Sequence, residues 1–165
     1  MNTLFIGYGN PDRQDDGVAW HVLTGIANQL GLETSPSWED PLPSNPEADF
    51  IFQLQLTPEV AEDLTAYDRV CFVDAHTGKI PTNVQMVDVS PEYQTSPFTH
   101  HLTPEMLLSM CESLFNHTPE AILISVRGYE FGFVTELSLF TESLVAEAVH
   151  RSLGWLKTES NLLPV

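Results

Sequence analysis

The chain has 165 residues, 42% of them hydrophobic and 18% charged, which suits one folded domain over residues 1–165 and not a disordered or coiled-coil protein. It carries 23 acidic residues against 6 basic ones, a formal net charge of -17, so the sequence predicts neither a nucleic-acid nor a membrane partner. No apolar run reaches the roughly 18 residues of a membrane span, and no basic N-terminal stretch resembles a signal peptide, which predicts a cytoplasmic protein.

Strand-like and helix-like segments alternate along the chain. Strands are predicted at residues 3–8, 50–56, 69–73, 84–89 and 121–126, and helices at residues 17–30, 58–66, 104–115 and 138–156. Thr57-Pro58-Glu59 and Thr103-Pro104-Glu105 are typical helix starts, with a capping residue before a proline. The alternation predicts an α/β fold, a three-layer αβα arrangement with a twisted, mostly parallel five-stranded sheet, phosphorylase/hydrolase-like, with residues 84–89 at its edge.

Two further features bear on the fold. Residues 34–49 contain four prolines and are expected to form a mobile surface loop within the domain. The two cysteines, Cys71 and Cys111, lie in apolar patterns without a CxxC pair, so both are expected to be reduced packing residues.

In open parallel sheets, ligand sites lie beyond the carboxyl ends of the strands. This rule selects the loops that follow Tyr8, Val73 and Val126. The first of these loops carries the densest set of functional candidates.

The loop after the first strand reads Gly-Tyr-Gly-Asn-Pro-Asp-Arg-Gln-Asp-Asp-Gly over residues 7–17. A dinucleotide-binding GxGxxG would need glycine where Asp12 stands, and a pyrophosphate would meet Asp12, Asp15 and Asp16. Such a carboxylate cluster suits a cation or a capping role instead. Asp15 is expected to cap the helix that follows, because helix N-termini favour carboxylates.

Asp74, at the tip of the third strand, is either a site residue or a turn residue in Asp-Ala-His-Thr-Gly, and the sequence leaves both open. Among the six histidines, His76 could line the same mouth, and at most one of the adjacent His100 and His101 is expected to face it. The other three histidines, His21, His117 and His150, are expected to be structural. Two carboxylates and a histidine suit a borderline divalent ion with open coordination positions. No GxSxG, HExxH or cysteine–histidine signature of a nucleophile is present.

Several motifs, in order along nearly the whole chain, resemble the hydrogenase maturation endopeptidases, which trim the C-terminal extension of the large subunit of nickel-iron hydrogenases. Residues 7–17 resemble the family opening GxGNxxxxDDG, and Phe72-Val73-Asp74-Ala75 resembles its second acidic motif. The histidine motif H-x-L is similar to His100-His101-Leu102, and residues 126–133 resemble a late segment of one branch of the family.

The resemblance implies a twisted sheet between helices and a peptide-bond hydrolase of the cytoplasm. It implies that Asp16, Asp74 and His100 act as catalytic residues and metal ligands, with His101 as the alternative histidine. The metal would be nickel already inserted in the hydrogenase precursor, and another divalent ion could occupy the site in vitro. The partner implied is the nickel-iron hydrogenase large-subunit precursor.

Other functions stay open at the sequence level. A non-catalytic chaperone that binds nickel or a hydrogenase subunit would use the same ligands. A nucleotide-binding α/β enzyme is disfavoured by the acidic first loop, and an orphan domain whose aspartates only cap helices is disfavoured by three motifs in family order.

Overall fold

A computed structural model describes residues 1–92 and 101–158. Its strands are β1 (Thr3–Tyr8), β2 (Asp49–Gln53), β3 (Arg69–His76), β4 (Val84–Val89) and β5 (Glu120–Arg127). Its α-helices are α1 (Val18–Gln29), α2 (Val60–Asp63), α3 (Pro104–Phe115) and α4 (Leu139–Lys157). Short 3-10 helices cover Pro11–Gly17 and Leu64–Ala66.

The five strands form one sheet in the order β2-β1-β3-β5-β4. The first four are mutually parallel, and β4 pairs antiparallel with β5 at the edge. The chain moves outward from β1 to β2 and then returns to the other side of β1, so the strand order reverses between β1 and β3. Such a reversal opens a crevice at the carboxyl ends of the two strands, where α/β proteins bind ligands.

Helices cover both faces of the sheet, which confirms the predicted three-layer α/β fold. Helices α1 and α4 pack on one face, in a core that includes Phe5, Val22 and Ala148. Helices α2 and α3 pack on the other, in a core that includes Phe72 and Leu107. The central strands are buried on both sides, and this explains why their sequences are continuous apolar runs rather than alternating ones.

Two boundaries differ from the prediction. Strand β3 continues through Asp74 to His76, because its parallel ladder with β5 continues to the pair His76 and Arg127. The predicted cap at Thr57 was wrong: α2 starts at Val60 with no side-chain cap, and the turn before it is held by Val60 N–H donating to the Thr57 carbonyl over 3.1 Å.

Other local predictions are confirmed. Thr103 caps α3, with its hydroxyl accepting from Met106 N–H at 3.2 Å. Cys71 and Cys111 are both buried and free. In residues 1–92 and 101–158, no helix combines the length and the apolar character needed to cross a membrane.

Candidate functional site

The turn after β1 is shaped by a glycine that no other residue could replace without movement. Gly9 has a φ of 137°, and a Cβ on it would lie 2.0 Å from the Asp16 carbonyl oxygen. The backbone of residue 16 therefore returns directly over the end of β1. Asn10 then caps the 3-10 helix, with its side-chain oxygen accepting from Asp12 N–H at 2.9 Å.

Asp16, at the end of this turn, is held by a backbone donor from its start. Its Oδ2 accepts a hydrogen bond from Asn10 N–H at 2.8 Å, and the side chain is half-buried. The contact fixes the carboxylate in the loop after β1 and leaves it reachable from solvent.

Asp15 points elsewhere and does not cap the helix that follows it, so that prediction was wrong. Helix α1 has Gly17 at its N-cap and no side-chain cap. The Asp15 carboxylate is fully buried and accepts from Ser138 N–H at 2.8 Å and from the Ser138 hydroxyl at 2.6 Å. It also accepts from Tyr129 N–H and Glu130 N–H, both at 2.9 Å, and from the Thr141 hydroxyl at 2.8 Å.

These contacts make Asp15 the anchor of the segment between β5 and α4. Burial alone would raise the pKa of Asp15, but its hydrogen bonds, led by the Ser138 hydroxyl, outweigh burial and lower the pKa below its ordinary value. Neighbouring carboxylates thus have separate tasks: Asp15 holds the late segment of the chain, and Asp16 faces the crevice.

Asp74 lies in β3 at the reversal of strand order, between hydroxyl donors from both neighbouring strands. The Tyr8 hydroxyl donates to Asp74 Oδ2 at 2.9 Å, and the Ser125 hydroxyl donates to Oδ1 at 2.7 Å. The strand register explains both contacts, since Ser125 pairs with Asp74 across β3 and β5, and Gly7 pairs with Val73 one residue before Tyr8. Asp74 therefore lies within a strand and not in a turn, and its role as a site residue stays a prediction.

Burial raises the pKa of Asp74 to about 6, although the hydrogen bonds from Ser125 and Tyr8 oppose the shift. The charges of Glu105 and Asp16 raise it further, so these carboxylates lie within electrostatic reach of one another. Burial, followed by the charge of Asp74, also raises the pKa of Tyr8 well above its ordinary value.

The sequence reasoning missed two residues that contact Asp74, Tyr8 and Ser125, and a third, Glu105, whose charge acts on the Asp74 pKa. Tyr8 and Ser125 were treated only as parts of strands, and strand register, which sequence did not specify, brings them to Asp74. Glu105 was treated as a first-turn helix acid, which it also is. Its position at a helix start that follows the histidine motif was the available signal.

The histidines divide into those with structural contacts and those in or near the predicted motif. His76 Nε2 lies 2.9 Å from the Thr82 carbonyl oxygen and its Nδ1 accepts from Gly78 N–H at 3.2 Å, so both ring nitrogens serve the turn after β3. His117 Nε2 lies 2.7 Å from the Tyr67 carbonyl oxygen, in keeping with its expected structural role. His100 lies outside the described residues, and His101 is exposed before α3.

The donor set at this edge of the sheet comprises the half-buried oxygens of Asp16 and Asp74. Among residues 1–92 and 101–158, no group of three histidine, cysteine or acidic side chains is close enough to hold a metal ion. Two carboxylates supply oxygen ligands that fit a divalent ion but leave most of its coordination positions to other donors. His100 as the third ligand stays a prediction.

The fold is similar to that of solved hydrogenase maturation proteases. The hydrogenase maturating endopeptidase HybD from E. coli superposes with a TM-score of 0.66 at 16% identity, over 95% of this chain and 93% of that one. The [NiFe] hydrogenase maturation protease HycI from Thermococcus kodakarensis gives 0.65 at 18% identity, over 95% and 93%. Hydrogenase 2 maturation peptidase from Thaumarchaeota archaeon SCGC_AB-539-E09 gives 0.58 at 22% identity, over 96% and 100%.

No protein-family model and no curated protein matches the sequence. At these identities the structural likeness shows a shared fold over almost the whole length of both chains. It agrees with the resemblance that the sequence motifs carry, and the fold expected from them is confirmed.

Proposed function

Proceeding from the fold that this chain shares with hydrogenase maturation endopeptidases, we propose that it is an endopeptidase of that kind. Its substrate is the nickel-loaded large-subunit precursor of a nickel-iron hydrogenase, from which it removes the C-terminal extension. The observation that carries the proposal is geometric: Asn10 N–H holds Asp16 in the turn after β1, and the hydroxyl of Tyr8, the last residue of β1, holds Asp74 near the end of β3. These are the two acidic positions that the family motifs select.

In this proposal, nickel arrives with the substrate and serves as the recognition element. Asp16 and Asp74 contribute carboxylate oxygens and His100 contributes an imidazole nitrogen, which together complete the coordination of an ion held by the precursor. A precursor without nickel would present no ion to these groups, and cleavage would follow only after metal insertion.

The bound ion supplies Lewis-acid polarisation to the scissile carbonyl or to the attacking water. The water oxygen forms a bond to the carbonyl carbon, the peptide C–N bond breaks, and the water protons pass to the new amine and to solvent. The chain's own contribution is orientation: Asn10 N–H holds Asp16, and the hydroxyls of Tyr8 and Ser125 hold both oxygens of Asp74.

The proposal is tested with purified protein and nickel-loaded precursor, by following the size of the large subunit on a gel. Asp16→Asn and Asp74→Asn should each abolish shortening, because an amide has lost the charge that favours a divalent ion. The matched control is Asp88→Asn, an exposed aspartate on the edge strand β4, which should cleave like the wild type.

Circular dichroism of each variant checks that the fold is retained. Full cleavage by both site variants would contradict the assignment of these residues. Wild-type protein that binds the loaded precursor without shortening it would favour the chaperone alternative instead.

A further inference from the structure

The segment between β5 and the first turn of α4 exposes an unusual concentration of apolar side chains. Of the eleven exposed large apolar residues in the part of the chain that the structure describes, five lie between residues 129 and 140. They are Tyr129, Phe133, Val134, Leu139 and Phe140, with Phe133 87% and Leu139 82% exposed. Phe133, Val134 and Leu139 line one depression, and the rings of Tyr129 and Phe140 lie 5.5 Å apart. Exposed apolar side chains gathered in this way are typical of a protein-binding site.

The same segment forms the shared wall of two adjoining depressions. One, of about 690 Å³, is lined by Phe133, Val134 and Glu130. The other, of about 800 Å³, runs between α1 and α4 and is lined by His21 and Val145. Both are lined by Glu136, Leu137 and Leu139, and the two depressions together are called here the α1–α4 groove.

The rim of the α1–α4 groove is acidic. Glu130, Glu136 and Glu142 line it, and no lysine or arginine among the described residues does so. Burial lowers the pKa of His21 on its wall, so this imidazole is neutral at neutral pH. Two cations lie beside the segment and outside the lining: Arg13 is 4.9 Å from the centre of the Phe133 ring, and Arg127 is 4.7 Å from the centre of the Tyr129 ring.

The segment is held in place before any partner arrives. Gln14 N–H donates to the Val134 carbonyl at 2.9 Å, Asp15 N–H donates to the Glu130 carbonyl at 3.1 Å, and Gly132 N–H donates to Gln14 Oε1 at 3.0 Å. These contacts come from the turn that carries Asp16. A preformed surface costs less ordering entropy on binding, and this one is tied directly to the candidate active site.

We propose that the α1–α4 groove docks a segment of the substrate protein in which apolar side chains lie next to lysine or arginine. The apolar wall and the acidic rim are complementary to that chemistry, and the attachment of the segment to the Asp16 turn couples docking to presentation of the scissile bond. This inference rests on the proposed function, because the substrate protein is the precursor named above.

The test measures initial cleavage rates against precursor concentration for the double variant Glu136→Lys/Glu142→Lys. We expect KM to rise roughly tenfold or more while kcat stays within about twofold, since the rim acts on binding and not on the reaction. The wild-type KM should also rise with salt, and that of the variant should respond less.

The matched control, Glu47→Lys/Glu62→Lys, makes the same charge change at two exposed residues outside the groove, and its KM should stay within about twofold of wild type. A KM equal to wild type in the groove variant, or an equal rise in the control, would overturn the docking proposal. A groove variant that changes only the oligomeric state, measured by analytical ultracentrifugation, would also overturn the proposal, because the groove would then bind a second copy of the chain.

If the wild-type protein does not shorten the precursor at all, it is the proposed function that fails. The dissociation constant for the precursor then replaces KM with the same variants, and the docking proposal is judged by the same comparison.

Discussion

At the scale of single residues, burial of the Asp74 carboxylate lowers the stability of the folded protein when that carboxylate is ionised. Its pKa of about 6 in the folded chain lies above its ordinary value of 3.8, so between those pH values the folded state binds the proton more tightly than the unfolded state. Stability therefore falls as pH rises through this window, and above pH 6 the ionised Asp74 disfavours the folded state.

Asp74→Asn should accordingly stabilise the metal-free protein at pH 7.5. The shift corresponds to about 1 to 3 kcal/mol of unfolding free energy, and the gain should shrink toward pH 4, where wild-type Asp74 is protonated in the folded protein. Urea unfolding at both pH values measures the effect, with exposed Asp88→Asn as the control for the change in net charge. A variant less stable than wild type at pH 7.5 would show that the carboxylate does not oppose folding.

Tyr8, together with Ser125, limits the rise in the Asp74 pKa. Its hydroxyl stabilises the ionised form of Asp74, so Tyr8→Phe should raise the pKa of Asp74 further. Carbon-13 NMR titration of the aspartate carboxyl groups measures the change. The control is Tyr67→Phe, which removes an equivalent hydroxyl bond at 2.7 Å from Asp49 and should leave the Asp74 titration unchanged. An unchanged Asp74 pKa in Tyr8→Phe would remove Tyr8 from the set of positioning residues.

At the scale of secondary-structure elements, two adjacent side chains of the turn after β1 point to different parts of the molecule. Asp16 faces the crevice, while Asp15 reaches the segment before α4 and the first turn of that helix. The sequence pair Asp-Asp looks redundant, but one member is a ligand candidate and the other a buried acceptor for three backbone N–H groups and two hydroxyls.

Asp15→Asn should destabilise the protein by about 3 kcal/mol or more at pH 7, because an amide nitrogen would face buried N–H donors. Since the pKa of Asp15 is lowered, its contribution is present above the ordinary value of 3.8 and is lost as pH falls through the folded-state pKa. The difference in unfolding free energy between the wild type and the variant should therefore become smaller at acid pH. Urea unfolding gives the free energy, and amide hydrogen exchange over residues 129–141 locates the loss.

Exposed Asp12, three residues earlier in the same turn, supplies the control variant Asp12→Asn, which should unfold like the wild type. Unchanged exchange in residues 129–141 of the Asp15 variant would show that this carboxylate does not hold the segment.

At the scale of the whole molecule, hydrophobic pattern was enough to predict the architecture. Continuous apolar runs indicate strands buried on both faces, and β1, β3 and β5 are such strands, at the predicted places within a few residues. The ends of the elements were harder to predict. Strand β3 extends to His76 because it pairs with β5, and α2 forms without the predicted cap, Thr57. Both depend on contacts between segments, which local sequence does not encode.

The candidate site was predictable only in part, for the same reason. Motif resemblance selects Asp16 and Asp74, and the structure places them at the reversal of strand order. The hydroxyl groups that donate to Asp74 are brought there by strand register. The hydrogen bonds of Asp15 to residues more than 100 positions away depend on the topology of the fold. The role of His100 stays a prediction.

The Asp15 contacts affect when the turn after β1 can fold during synthesis of the chain. The turn that carries Asp16 receives its partners from Tyr129, Ser138 and Thr141, so a growing polypeptide on the ribosome has the acidic turn long before the groups that satisfy it. Until those late residues emerge, an unpaired buried carboxylate disfavours the native geometry of the turn. We expect the nascent chain to lack the native turn around Asp16 until residues 129–141 have left the ribosome.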